Sequence, residues 1–151
     1  MTDSLAFRAL DAHVLAGRAD EPALVDASGQ LSYAQLLHES ASIAGALAQL
    51  GLGDGDAITI AIDQHREHVV SVLAAVRLGL VPTDDAPHRL VGDPPSCSSP
   101  GQDPVGWPVL VHAGRVDPAP ARQHDTPEYE QQLLEAYADL LPVLLDGGTL
   151  H

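Results

Sequence analysis

Two aliphatic helical stripes bracket a nearly unbroken apolar run, Ala57-Ile58-Thr59-Ile60-Ala61-Ile62. A strand that is apolar on both faces must be covered on both, as a parallel strand between helical layers is. Before it, Leu36, Leu37, Ile43, Ala44, Leu47 and Leu50 recur at helical spacing. After it, Val69, Val72, Leu73 and Val76 do the same. Helix, turn, strand, helix and strand in this order predict an α/β unit with a right-handed crossover. The expected fold is therefore α/β, with a small, mainly parallel sheet and helices on both faces.

Local signals set the boundaries. Ser32 followed by Gln35 is a capping box, and Leu31 with Leu36 can form a hydrophobic staple. Gly51 and Gly79 stand where each helix should stop. Asp63 is placed to cap the second helix. An earlier helix is expected over 4–16, capped by Asp3 or Ser4, with Leu5, Ala6, Ala9, Leu10, His13 and Val14 on one side and Gly17 as its stop. Residues 23–26 and 31–33 read as two short strands around a turn. Residues 80–83 read as a strand that Pro82 confines to an edge.

The second half is less regular. Residues 84–108 are rich in Pro, Ser, Gly and Asp and are expected to be a long loop, a candidate for local disorder. Residues 108–113 are expected to be one more strand, and 114–125 loop. Thr126, Pro127 and Glu128 announce a helix by cap, first-turn proline and dipole-matched acid. Its stripe of Leu133, Leu134, Tyr137, Leu141 and Leu144 is ended or kinked at Pro142. The tail around Gly147 and Gly148 is expected to fray. The expected organisation is one domain over 1–151: an α/β unit at 4–83, the loop at 84–108, and a strand plus C-terminal helix at 109–145.

Charge narrows the partners. A net charge of −14 repels phosphate backbones and anionic lipid, so neither nucleic acid nor a membrane surface is expected as partner. All basic side chains are arginine and no lysine is present, so no lysine can serve as catalytic cation, Schiff base or phosphate ligand. The lone Cys97 excludes an internal disulfide and, in its Ser/Pro-rich setting, is expected at the surface. The first residues lack an apolar signal core, and no apolar run is long enough to span a bilayer, so the expected location is the cytoplasm.

Three pieces in order, together with their spacing, carry a family resemblance: PALVDASGQLSYAQL at 22–36, SASIAGALAQLGLGDGDAITIAI at 40–62 and EHVVSVLAAVRLGLVP at 67–82. Together they resemble the N-terminal region of the adenylate-forming (AMP-binding) superfamily. That superfamily includes acyl-CoA synthetases, nonribosomal peptide adenylation domains and luciferases. LSYAQL is similar to the family's early L-T-Y-x-E-L motif, with Leu31, Tyr33 and Leu36 in place, and VRLGLVP to its K-A-G-x-x-x-P motif. The resemblance implies a scaffold layer, with Tyr33 in the core and Gly79 in a turn, and says little about chemistry.

The same resemblance implies machinery for a negatively charged transition state: a Gly/Ser/Thr-rich phosphate loop, an acid for magnesium, and lysine. None of it stands in this sequence. Residues 109–121 hold a faint trace of such a loop, with Gly114 for flexibility and Arg115 as cation. Asp117 opposes phosphate there, and an ordinary turn is the preferred reading. His65 and His68, three apart, are the candidate metal pair, but the spacing supplies no third ligand. His112 suits a structural role, and His88, His124 and His151 fall in loops or the tail. Asp84 and Asp85 read as a solvated loop, and no G-x-S-x-G elbow appears. No cofactor is expected.

The leading expectation is a non-catalytic, stand-alone remnant of an adenylating enzyme. It would act through protein contacts, as a homo-oligomer or with a partner protein, and the C-terminal leucine stripe is the segment nominated either to cover exposed apolar surface or to dimerise. Two alternatives compete with it. One is half of a split ligase completed by another chain. The other is a small-molecule or nucleotide-binding domain using the sheet's carboxyl edge.

Overall fold

The structure is a computed structural model that describes residues 3–151. These residues divide into two compact units, one built from residues up to His38 with Ala121–His151, the other from Glu39–Pro120.

In the first unit a helix runs over residues 5–18, with wide π-turns at Phe7–Asp11 and Val14–Arg18. Ser4 starts it: Phe7 N donates to Ser4 Oγ at 3.3 Å and Arg8 N to Ser4 O at 3.0 Å. Gly17 breaks it at φ 86°, as its position predicts. β1 (Pro22–Asp26) and β2 (Gly29–Ser32) follow as an antiparallel hairpin, with Asp26 turning the chain by accepting from Ser28 N at 2.9 Å.

α1 (Tyr33–Gln49) starts with the predicted capping box. Gln35 N donates to Ser32 Oγ at 3.2 Å, and Ser32 N donates to Gln35 Oε1 at 2.9 Å. The pair is solvent-exposed, so Ser32→Ala should cost about 1 kcal/mol in urea unfolding, at the usual scale of a lost cap. The helix ends at Gly51 as a Schellman motif, with Leu52 N donating to Leu47 O and Gly51 N to Ala48 O.

The C-terminal segment closes the first unit. α4 (Pro127–Ala136) is capped by Thr126, whose Oγ1 accepts from Tyr129 N at 3.1 Å. It ends at Ala136, before Pro142. That proline instead sits in the first turn of a separate short helix, α5 (Leu141–Leu145), where its missing N–H costs nothing. Leu133, Leu141 and Leu144 are fully buried, as are Leu5, Leu10, Leu24, Tyr33 and Leu36 of the same unit. The leucine stripe, nominated to cover apolar surface or to dimerise, is largely spent inside the chain. The tail does not fray either: Leu150 makes a parallel bridge to Leu24.

The second unit carries the sheet, in strand order β4-β3-β5-β6-β7. β3 (Ala57–Ala61) pairs in parallel with β4 (Val81–Pro82) and with β5 (Arg89–Val91). β6 (Ser96–Ser98) runs against both β5 and β7 (Val105–Gly106), so all strands but β6 point the same way. Pro82 lies on the edge strand, as its missing N–H requires. α2 (His65–Leu78) packs on β3 and ends at Gly79 with a second Schellman motif.

Several expectations are corrected here. Asp63 does not cap α2; the cap position is Gln64, with no side-chain cap bond. Residues 84–108 are not a long loop, because β5, β6 and β7 lie within them. These strands are two or three residues long, too short to show a period of two. Cys97 is 1% exposed, not at the surface: it stands in β6 opposite Leu90. Residues 108–113 are not a strand but the body of α3 (Trp107–Val116), with Gly106 at its cap and Pro108 in its first turn. A short apolar run fits a strand and a helix equally, and the proline at the start is the cue for helix.

Candidate functional site

Sites in open α/β sheets gather beyond the carboxyl ends of parallel strands. Here that edge is organised by Thr59. Its Oγ1 donates to Thr83 O at 2.9 Å and accepts from Ala86 N at 2.8 Å, pinning the connection between β4 and β5. Asp84 and Asp85 lie in that connection and are exposed, and Asp85 pairs with Arg89 at 3.7 Å. This acidic pair is a solvated loop, as its sequence suggested. Its charge opposes phosphate at the one edge where a nucleotide would be sought.

Gly114 and Arg115 do not form a phosphate loop. Both lie in the last turns of α3, where helical amides bond within the helix and cannot cradle an anion. Gly114 is buried for a packing reason: a Cβ there would fall 1.5 Å from Ser42 O. The following segment is sewn down as well. Ala119 N donates to Ala41 O at 3.0 Å, and the buried Arg77 donates from Nε to Ala119 O at 2.7 Å. Residues 109–119 thus form a helix and strap clamped to α1 and α2. Arg115 is exposed, and so is His112 on the same helix.

His65 and His68 stand in the first turn of α2, His65 exposed and His68 partly buried. Among the described residues no group of three metal-ligating side chains comes together. Burial, and then the neighbouring His65, hold the His68 imidazole below the usual histidine range. A depressed folded value contributes stability that is present above the ordinary histidine pKa of about 6.5 and is lost as pH falls. His68→Gln should therefore flatten the acid side of the stability profile, measured as urea midpoints between pH 8 and pH 5.

Two clusters bring together residues that no local sequence pattern marks. In the first unit an open cleft of about 370 Å³ is lined by Asp3, Phe7, Ala121, Arg122, Gln123 and His124. Beneath it Asp125 accepts from Leu5 N at 2.8 Å, pairs with Arg122, and so caps a helix 120 residues away. Arg122 also lies over the Tyr129 ring, 5.3 Å from its centre. The sequence showed only Arg-Gln-His-Asp ahead of a capped helix. In the second unit His88 Nδ1 and Ser99 Oγ are 2.9 Å apart. They extend the β5–β6 pairing, where Arg89 stands opposite Ser98. Beside them burial raises the Cys97 thiol pKa, which makes it a poor nucleophile.

Residues 11–84 match the AMP-binding enzyme family. That segment belongs to the N-terminal part of an adenylate-forming enzyme. Among particular relatives, the chain is 37% identical over 86 residues to an acetyl-coenzyme A synthetase of Rhodopirellula baltica, covering 50% of this chain and 13% of that enzyme. It is 33% identical over 114 residues to the phenyloxazoline synthase MbtB of Mycobacterium tuberculosis, covering 68% of this chain and 8% of that protein. The chain thus spans about an eighth or less of the curated relatives it matches. In structure it resembles the N-terminal subdomain of Klebsiella oxytoca NpsA, solved with 3-hydroxyanthranilyl-AMSN, at TM-score 0.50 and 20% identity. That match covers 56% of this chain and 21% of that one. The family and the α/β fold are those the scaffold motifs implied.

Proposed function

We propose that this chain is a non-catalytic scaffold unit of the adenylate-forming fold that works through protein contacts. One observation carries the reading. The segment most similar to a phosphate loop is the helix α3, whose inner side is locked on α1 through Gly114 and whose outer side presents Val109 at 60% and Val116 at 80% exposure. These two side chains are seven apart and share a helix face. Large exposed apolar side chains on one face suit an interface better than solvent. The lack of lysine in this sequence supports the same reading.

Light scattering across a concentration series tests it. The expected result is a dimer that Val109→Asp with Val116→Asp converts to monomer while the circular dichroism is retained. A chain that is monomeric at every concentration would count against action through self-contacts.

A further inference from the structure

The edge of β1 away from β2 is occupied by the chain's own tail. Leu150 N donates to Ala23 O at 2.8 Å, Val25 N donates to Leu150 O at 2.8 Å, and Leu24 and Leu150 form a parallel bridge. Thr149 Oγ1 donates to Pro22 O at 2.7 Å. The two glycine carbonyls meet side-chain donors: Arg18 Nη2 reaches Gly147 O at 2.9 Å and Tyr33 Oη reaches Gly148 O at 2.6 Å. Every residue from Gly147 to Leu150 is held by the segment 18–33.

The seat also selects by shape. Gly147 has φ 77°, and a Cβ there would lie 2.2 Å from Arg18 Nη1. A Cβ on Gly148 would lie 3.1 Å from Val143 Cγ1. Leu150 is 6% exposed. Arg18 is itself oriented by Glu21, with Nε to Oε2 at 2.9 Å and Nη2 to Oε1 at 2.8 Å. Tyr33 packs against His13, the two ring centroids 4.9 Å apart and the planes at 66°. Main-chain bonds along a strand edge with side-chain selection at chosen positions are the physics of peptide recognition by β-augmentation.

We propose that this edge is a peptide-binding site for the pattern Gly-Gly-Thr-Leu, filled in cis by the chain's tail and able to take the same segment of a second copy. The groups of segment 18–33 and the ligand segment lie more than 100 residues apart in sequence and meet only through space, so exchange of these contacts between copies needs no new contact. The site shares no residue with α3, and its test does not depend on the proposed function.

The probe is a fluorescein-labelled peptide of residues 145–151, followed by anisotropy. Three proteins receive it: the intact chain, the chain shortened after Asp146, and full-length Leu150→Asp. Saturable binding is expected for the shortened and Leu150→Asp proteins. Binding to the intact chain should be at least roughly tenfold weaker, because the cis tail competes at high effective concentration. A peptide carrying Gly147→Ala should bind the open site at least roughly tenfold more weakly. If the shortened chain is unfolded alone, recovery of its helical signal with peptide supports the site equally. The proposal is overturned if folded Leu150→Asp protein takes no peptide, or if the Gly147→Ala peptide binds as well. It also fails if an unfolded shortened chain does not respond.

Discussion

Gly114→Ala is expected to be the most damaging single-methyl change in the second unit. A Cβ at this position would sit 1.5 Å from Ser42 O, 2.4 Å from Ser42 C and 2.9 Å from Ser42 Cα. All three are backbone atoms of α1, so no side chain can turn aside. Either α3 moves as a body or α1 bends. Overpacking in a core costs ~1–3 kcal/mol when neighbours can give, and more when they cannot. Displacing α3 would also uncover Leu110, a fully buried side chain whose exposure costs ~2 kcal/mol. We expect a loss of about 4 kcal/mol in urea unfolding. The neighbouring Arg115→Ala, at an exposed position, should stay within about 0.5 kcal/mol. Gly45→Ala should behave like Gly114→Ala, since its Cβ would fall 2.2 Å from Asp117 O. A Gly114→Ala protein as stable as the parent would mean that α3 does not cross α1 at this glycine, and the loop reading of 109–121 would return.

The second large effect is expected at Asp125. Its carboxylate is fully buried and serves two elements at once, capping the N-terminal helix through Leu5 N at 2.8 Å and pairing with Arg122. Asp125→Ala removes the acceptor of Leu5 N–H and the carboxylate that pairs with Arg122. Breaking such a pair from one side costs ~3–5 kcal/mol when fully buried. Arg122 keeps 23% side-chain exposure and its place over Tyr129, so about 3 kcal/mol is the expected loss. Asp125→Asn keeps an acceptor for Leu5 N–H and should recover roughly half of it. Equal losses for alanine and asparagine would assign the whole effect to charge and remove the capping role.

What the sequence revealed and what it hid follow one physical division. Features made by neighbours in sequence were legible. The Ser32–Gln35 capping box, the stops at Gly51 and Gly79, the Thr126 cap and the edge position of Pro82 all rest on residues within one helical turn or strand. Features made by distant residues were not. Asp125 caps a helix across 120 residues, and Tyr33 Oη finds Gly148 O across 115. Gly114 looked like a flexible loop residue because its reason for being glycine, the backbone of Ser42, lies on another helix. Cys97 looked exposed because its flanking serines and prolines are polar, whereas strand alternation turns its own side chain inward. Tyr33 shows both sides of the division. Its place in the core was expected from the family motif. The hydroxyl's partner, and the burial that pushes its pKa up to about 12, were not.

Residues 109–119 are a packed helix and strap, and we propose that they do not receive a nucleotide. An amide-resolved NMR titration with Mg-ATP, AMP and an acyl-adenylate analogue tests it most directly. The account predicts that the amides of Gly114 and Arg115, and those of residues 84–86 at the sheet edge, do not move with any of the three. Saturable shifts confined to 109–121 or to that edge would contradict it.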